Sequence, residues 1–310
     1  MDTMSLWMNC FVLTFGLCQL NHVASQGTTD HLQDIFIGRC WNYQTKIRPV
    51  APGQYKNCSE LWQRFSTAFM NKDACSVTQD DYRSYGDIAM EDVPNGKSLF
   101  WEGTYQVTHD YSRRGRRKWA LGDILIGYCV DQLTWCGQTA APGVNYTRCP
   151  AYGECSSYDD AFWGMAATKY AIAASGEATT IMNGSRTDGR PAYERESYFA
   201  KFELPNLDPS KVTKFQVVVL HDVGKIVRES CNNGSLVQLK EDILKRGFEW
   251  HCTDDPEEMV HILCVDNVAS PECTLARRSS PSNNGPHVHD IGQFKQLFLA
   301  TLMIISIYLL

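Results

Sequence analysis

Apolar positions along this chain follow two rhythms. Residues 59–70 (SELWQRFSTAFM) place Leu61, Trp62, Phe65 and Phe69 three or four apart, the spacing of one helix face, with Ser59 as the predicted cap. Residues 161–174 (AFWGMAATKYAIAA) are small, apolar and rich in alanine, which predicts a second helix. Beyond about residue 178 the rhythm changes. The runs 215–220 (FQVVVL) and 260–265 (VHILCV) read as buried strands, and between them 236–246 (LVQLKEDILKR) reads as an amphipathic helix closed by Gly247. Strand, helix and strand in that order predict a βαβ unit and a parallel sheet. Residues 178–182 (ATTIM) and 198–204 (YFAKFEL) are two further candidate strands. The expected class is α/β, a mainly helical N-terminal portion packed on a C-terminal portion with a parallel sheet. No Gly-x-Gly-x-x-Gly follows any of these strands, so an ordinary Rossmann cofactor site is not supported. There is no internal repeat.

Both ends of the chain differ from its middle. The apolar stretch LWMNCFVLTFGLC near the N-terminus predicts a secretory leader over 1–25, although Asp2 is the only charge ahead of it; Val23 and Ser25 allow cleavage before Gln26. The remaining domain runs over 26–278. A Ser/Pro/Asn/Gly linker at 279–286 opens the last segment, 279–310, and leads through a polar spacer to the uncharged run LFLATLMIISIYLL at 297–310. That run is shorter than the ~20 residues a bilayer span needs. Small residues, polar spacer and apolar tail together match a GPI-attachment signal, whose tail is removed; a short membrane anchor or a buried helix are the alternatives.

Composition narrows the compartment and the partners. Of thirteen cysteines, Cys10 and Cys18 fall in the leader, which leaves eleven and no Cys-x-x-Cys pair. That usage favours an oxidised disulfide framework over a metal or redox motif. Four sequons, at Asn57, Asn145, Asn183 and Asn233, agree with a secretory route to the cell surface or a vesicle lumen. A net charge of −6 argues against a nucleic-acid partner. The basic run Arg113, Arg114, Arg116, Arg117 and Lys118 reads as a solvated loop, with a phosphate-attracting rim as the sharper alternative.

Candidate chemistry is sparse when read from residues alone. No Ser-His-Asp order, His-Glu-x-x-His or Gly-x-Ser-x-Gly pattern supports a common hydrolase. Trp101, Trp163 and Glu203 stand out, but a Trp is more often core than ligand platform, and a single Glu on a strand edge is usually solvated. The residues alone lead to a secreted, disulfide-stapled, membrane-anchored α/β protein.

Motifs carry the reading further. The segment WALGDILIGYCVDQLTWCG at 119–137, with IGRCW (37–41), LFWEGTY (99–105), FWGMA (162–166), NGSR (183–186), FELPNL (202–207) and KVTKFQVVVLH (211–221), resembles the ADP-ribosyl cyclase/NAD glycohydrolase family from about Ile35 to Arg278. The resemblance implies an active site in the cleft between the two portions. It also implies five disulfides: Cys40–Cys58, Cys75–Cys155, Cys136–Cys149, Cys231–Cys252 and Cys264–Cys273. Cys129 is then left over, as a buried free thiol or, alternatively, an intermolecular bridge.

The same resemblance implies a chemistry. NAD and NADP are substrates, and neither a metal nor a bound cofactor is called for. Breaking the nicotinamide–ribose bond releases a neutral base from a pyridinium, so the transition state resembles an oxocarbenium ion and needs a carboxylate beneath the sugar. By motif match that carboxylate is Glu203, and Trp101 and Trp163 are aromatic walls for the dinucleotide. Asp123 and Asp131 are implied in binding, and Ser197, Tyr198 and Phe199 near the phosphates. Cyclisation, hydrolysis and exchange with a free pyridine base such as nicotinic acid (giving NAADP from NADP) then compete. Gly122 stands where the family has an acid implicated in that partition, and Glu102 where relatives often carry Ser, an acid beside an anionic ligand. A predominantly hydrolytic enzyme and a weakly active surface receptor on the same scaffold are the competing readings. Self-association into a homodimer stays open.

Overall fold

A computed structural model describes residues 27–274, apart from 116, 140–141, 152–153, 156–157 and 266. The predicted leader and the linker with its apolar tail lie outside the described residues. Three helices come first: α1 (Leu32–Asn42), which runs on into a π-turn at Tyr43–Ile47, α2 (Cys58–Phe69) and α3 (Arg83–Ala89). Then follow β1 (Ser98–Glu102), α4 (Tyr105–Gly115), β2 (Trp119–Ala120), α5 (Leu125–Tyr128) and α6 (Tyr158–Ile172). The chain continues through β3 (Gly176–Asn183), β4 (Val212–Leu220), α7 (Leu236–Lys245), β5 (His251–Asp254) and α8 (Glu257–Leu263). Among the described residues no helix is long and apolar enough to cross a membrane.

The five strands form one parallel sheet in the order β2-β1-β3-β4-β5. Two of them, β1 and β2, come from the portion that reads as helical in the sequence, so the sheet draws on both portions. The βαβ unit is present as β4, α7 and β5, with Gly247 at φ +85° ending the helix in the left-handed region that favours glycine. Its second strand is not 260–265. Residues 260–263 of that run lie in α8, where Met259, Ile262 and Leu263 lay one helical face against Leu99, Ile181 and Val218. An apolar run of six residues fits either element, and Pro256, Glu257 and Glu258 ahead of it are helix-start signals. The second correction concerns 198–204, which forms a π-turn (Phe199–Glu203) followed by a 3₁₀ turn (Leu204–Asn206) with Pro205 inside it. Proline cannot donate to a ladder, and the turn places Phe199 and Glu203 inward together. A third is the cap of α2: Asn57, not Ser59, accepts from the Ser59 and Glu60 amides at 3.0 and 3.2 Å.

An aromatic cluster joins the helices. Phe65 of α2 contacts Phe36, Phe69, Tyr85, Trp135 and Phe162 with ring centroids 5.1–5.7 Å apart. Burial of each such ring is worth about 2 kcal/mol before the edge-to-face term. All five implied disulfides are formed, and Cys129 is the buried free cysteine. Cys75–Cys155 closes the longest loop, 80 residues, for which loop-closure entropy corresponds to about 4–5 kcal/mol.

Of the sequons, Asn57, Asn145 and Asn233 accept through Oδ1 in local backbone turns. Asn183 is held differently. It is 9 % exposed at the end of β3, and its Nδ2, the atom a glycan would take, donates to the Gly103 carbonyl at 3.0 Å and to Asp222.

Candidate active site

In the order β2-β1-β3-β4-β5 the chain leaves β1 in one direction and β3 in the other, so the C-terminal ends of β1 and β3 flank the switch point where parallel sheets open a crevice. Glu102 ends β1, and Arg186 lies in the turn just beyond β3. Both side chains are 6 % exposed, with Arg186 Nη1 3.6 Å from Glu102 Oε1. The π-turn carrying Glu203 packs against β1 and α6 beside them. Its approach to α6 depends on Gly164: a Cβ there would meet Phe202 Cζ at 3.0 Å and Gln79 Nε2 at 2.6 Å.

Glu203 is only 7 % exposed. Burial, reinforced by the charge of Glu102, pushes its carboxyl up to about 8. Glu102 is itself pushed up to about 7 by burial, against the opposing pull of Ser197, the Glu194 amide and Arg186. Two carboxyls thus share one dry pocket, the arrangement in which a proton is retained near neutrality. Sequence reasoning placed Glu203 here and missed the pairing, because 100 residues separate the two acids and nothing local marks Glu102 as inward-facing.

A second cluster lies across the sheet. Side chains alternate along β1, so Trp101 faces away from Glu102, toward Tyr105 and His109 at 5.6 and 6.3 Å between ring centres. Tyr105 donates to Asp131 Oδ2 at 3.0 Å, and Arg113 bridges Asp123 and Asp131 at 3.2 and 2.8 Å. Gly122 stands among them, its missing Cβ 3.0 Å from His109 Cε1 and 3.5 Å from Asp131 Cγ. A cavity of about 390 Å³ opens here, lined by Arg39, Arg113, Trp119, Asp123, Tyr128 and Asp131 among others. It is large enough for a pyridine base and bounded by cations as well as acids. It does not include Trp101, Trp163 or Glu203.

Not every residue implied by the resemblance reaches a ligand-facing place. Phe199 is core, 1 % exposed and stacked on Phe215 at 6.2 Å. Asp123 lines the cavity but directs both oxygens to protein partners: His109 and Arg113 at Oδ1, Ser112 and the Ala120 amide at Oδ2. Tyr198 is half-buried against Phe202. Trp163, on α6, packs edge-on to Phe162 at 4.9 Å and is partly open. Among the described residues no ring contact joins Trp163 to Trp101.

Known proteins resemble this chain in sequence and fold. The sequence profile of the ADP-ribosyl cyclase family matches residues 29–273. The chain is 37% identical over 271 residues to the ADP-ribosyl cyclase/cyclic ADP-ribose hydrolase of Aplysia californica, covering 87% of this chain and 95% of that protein. It is 34% identical to human ADP-ribosyl cyclase/cyclic ADP-ribose hydrolase 2 over 264 residues, 83% of this chain and 81% of the relative. Among solved structures, Aplysia cyclase in complex with the substrate NGD and the product cGDPR superposes with a TM-score of 0.75 at 38% identity, covering 81% of this chain and 99% of that one. A CD38 structure described as a covalent enzyme–substrate complex superposes at 0.68 with 33% identity, over 74% of this chain and 93% of that one. The fold is that of the ADP-ribosyl cyclase family, and this chain belongs to it.

Proposed function

We propose that this chain cleaves the nicotinamide–ribose bond of NAD and NADP, with Glu203 as the carboxylate beneath the reacting sugar, and that cyclisation and base exchange outweigh hydrolysis. The observation that carries the reading is the placement of Glu203: nearly enclosed, at the switch point, with no hydrogen bond from another described residue. A carboxylate without protein partners is free to stabilise a developing cation, electrostatically or by covalent capture. No metal is needed, because the leaving group departs neutral. Incubation of purified protein with NAD and with NGD, followed by chromatography, tests the reading. Cyclic products are expected from both, and ADP-ribose alone would favour the hydrolytic alternative.

Gly122 supports the expected product bias. It can neither bond a carboxamide nor orient a water, and the cavity beside it already holds Asp131 and Arg113. Gly122→Glu should raise the hydrolysed share of product severalfold. The Cβ of the new residue would lie 3.0 Å from His109 Cε1, so that ring must give by a few tenths of an ångström. An unchanged ratio of ADP-ribose to cyclic product would remove Gly122 from the partition. With nicotinic acid and NADP, exchange to NAADP is the corresponding expectation.

The address is part of the same proposal: secretory, and held at the cell surface or in a vesicle lumen by a GPI lipid replacing the tail at 297–310. A phosphatidylinositol-specific phospholipase should release the protein from membranes into solution. Retention after complete digestion would point to the short apolar tail as the anchor.

A further inference from the structure

The switch point holds more negative charge than the proposed reaction accounts for. Glu102 Oε1 accepts from the Glu194 amide at 3.1 Å, whereas Arg186 stands off at 3.6 Å and directs Nε and Nη2 to Asp188 at 3.2 and 2.9 Å. Glu102 Oε2 is buried with no hydrogen-bond partner. A polar atom left so costs about 1–3 kcal/mol, which a fold tolerates where a ligand supplies the missing bond. The charged and titratable groups facing this carboxyl are Arg186, Glu194, Glu203 and Tyr193, the last pushed far up by burial and therefore neutral, while Asp188 meets Arg186 as an exposed partner. Glu102 and Glu203 are both nearly enclosed, with only the Arg186 guanidinium close to Glu102, so the two carboxyls are disfavoured from ionising together.

Resting on the function proposed above, we propose that Glu102 is a second substrate-binding carboxyl that works protonated: it keeps the pair's proton while Glu203 is the anion, and Oε2 donates that proton in a hydrogen bond to an oxygen of the bound dinucleotide. In the free protein the balance runs the other way. Glu203 has no hydrogen bond to support its charge, whereas the Glu102 anion has the Glu194 amide, the Ser197 hydroxyl and Arg186 nearby. Substrate reverses this. Its pyridinium–ribose cation favours charge on Glu203, and its pyrophosphate, expected beside Ser197, disfavours charge on Glu102. Resting and reactive forms are then two arrangements of one singly protonated pair, and binding neither takes up nor releases a proton.

The test is kcat/KM for nicotinamide release from NAD between pH 5.5 and 9. The expected profile is a bell, rising as the pair loses its first proton and falling about tenfold per pH unit once it loses the second. Glu102→Gln retains a donor but cannot ionise, so its rising limb should persist and its falling limb disappear. A falling limb unchanged in Glu102→Gln would reduce Glu102 to a structural partner of Arg186 and overturn the proposal. So would a wild-type profile flat to pH 9, a result that depends on no variant folding. Absence of nicotinamide release by the wild type at every pH would instead overturn the reading of function, and this proposal with it.

Discussion

Glu203→Gln is expected to lose at least about a thousandfold in nicotinamide release from NAD, with cyclic and hydrolysed products falling together, while the protein stays folded. A thousandfold corresponds to about 4 kcal/mol of transition-state stabilisation, the size expected when a preorganised charge is removed from a water-poor site. The substitution keeps the shape and deletes the charge. It should not harm the fold, and the sign follows from the raised pKa. A carboxyl whose folded-state value lies above its unfolded value destabilises the native state as pH rises past about 4, increasingly until the folded value near 8 is reached. Glutamine removes that cost, so the variant should melt no lower than wild type at pH 7.5. Equal stability with no turnover isolates the chemical role. Turnover within a few fold of wild type would show that another group stabilises the cation, Glu102 being the first candidate.

That combination explains why part of the site was legible in the sequence and part was not. Trp101, Trp163 and Glu203 sit in motifs whose order along the chain survives any change of local structure, so the resemblance could single them out as candidates. The segment around Glu203 was misread as a strand because YFAKFEL alternates like one. Only packing of Phe199 on Phe100 and Phe215 settles it as a π-turn. The same limit applies to 260–265, where six apolar residues fit either element until β5 fills the sheet edge from His251 onward. Glu102 lay beyond reach for another reason. Its neighbours Arg186, Glu194 and Glu203 are brought to it by the order of strands, and no local pattern encodes a meeting of side chains so far apart. The disulfide pairing needed the resemblance, since the spacing of eleven cysteines alone permits many frameworks.

Asp123, implied in substrate binding and lining the cavity, also carries a structural duty. The resemblance implies substrate binding, but its carboxylate, 6 % exposed, receives His109 Nδ1 at 3.3 Å, Arg113 Nε at 3.2 Å, the Ala120 amide at 3.3 Å and the Ser112 hydroxyl. Burial alone would raise its pKa. The hydrogen bonds from His109 and Ser112, with the charge of His109, hold it below the usual carboxylate range instead. These contacts fix α4 to the turn at Leu121–Asp123 and so hold Gly122 and Arg113 at the cavity. Asp123→Ala is therefore expected to cost about 3–5 kcal/mol, the loss seen when one member of a buried charged network is removed. For a domain of this size that lowers the melting temperature by roughly 10 °C. Because the folded pKa is depressed, the stabilisation is present above the unfolded value near 4 and is lost as pH falls through the folded one, so wild type and variant should converge in strong acid. An Asp123→Ala protein that melts like wild type at pH 7 but needs far more NAD for half-maximal rate would return Asp123 to the substrate.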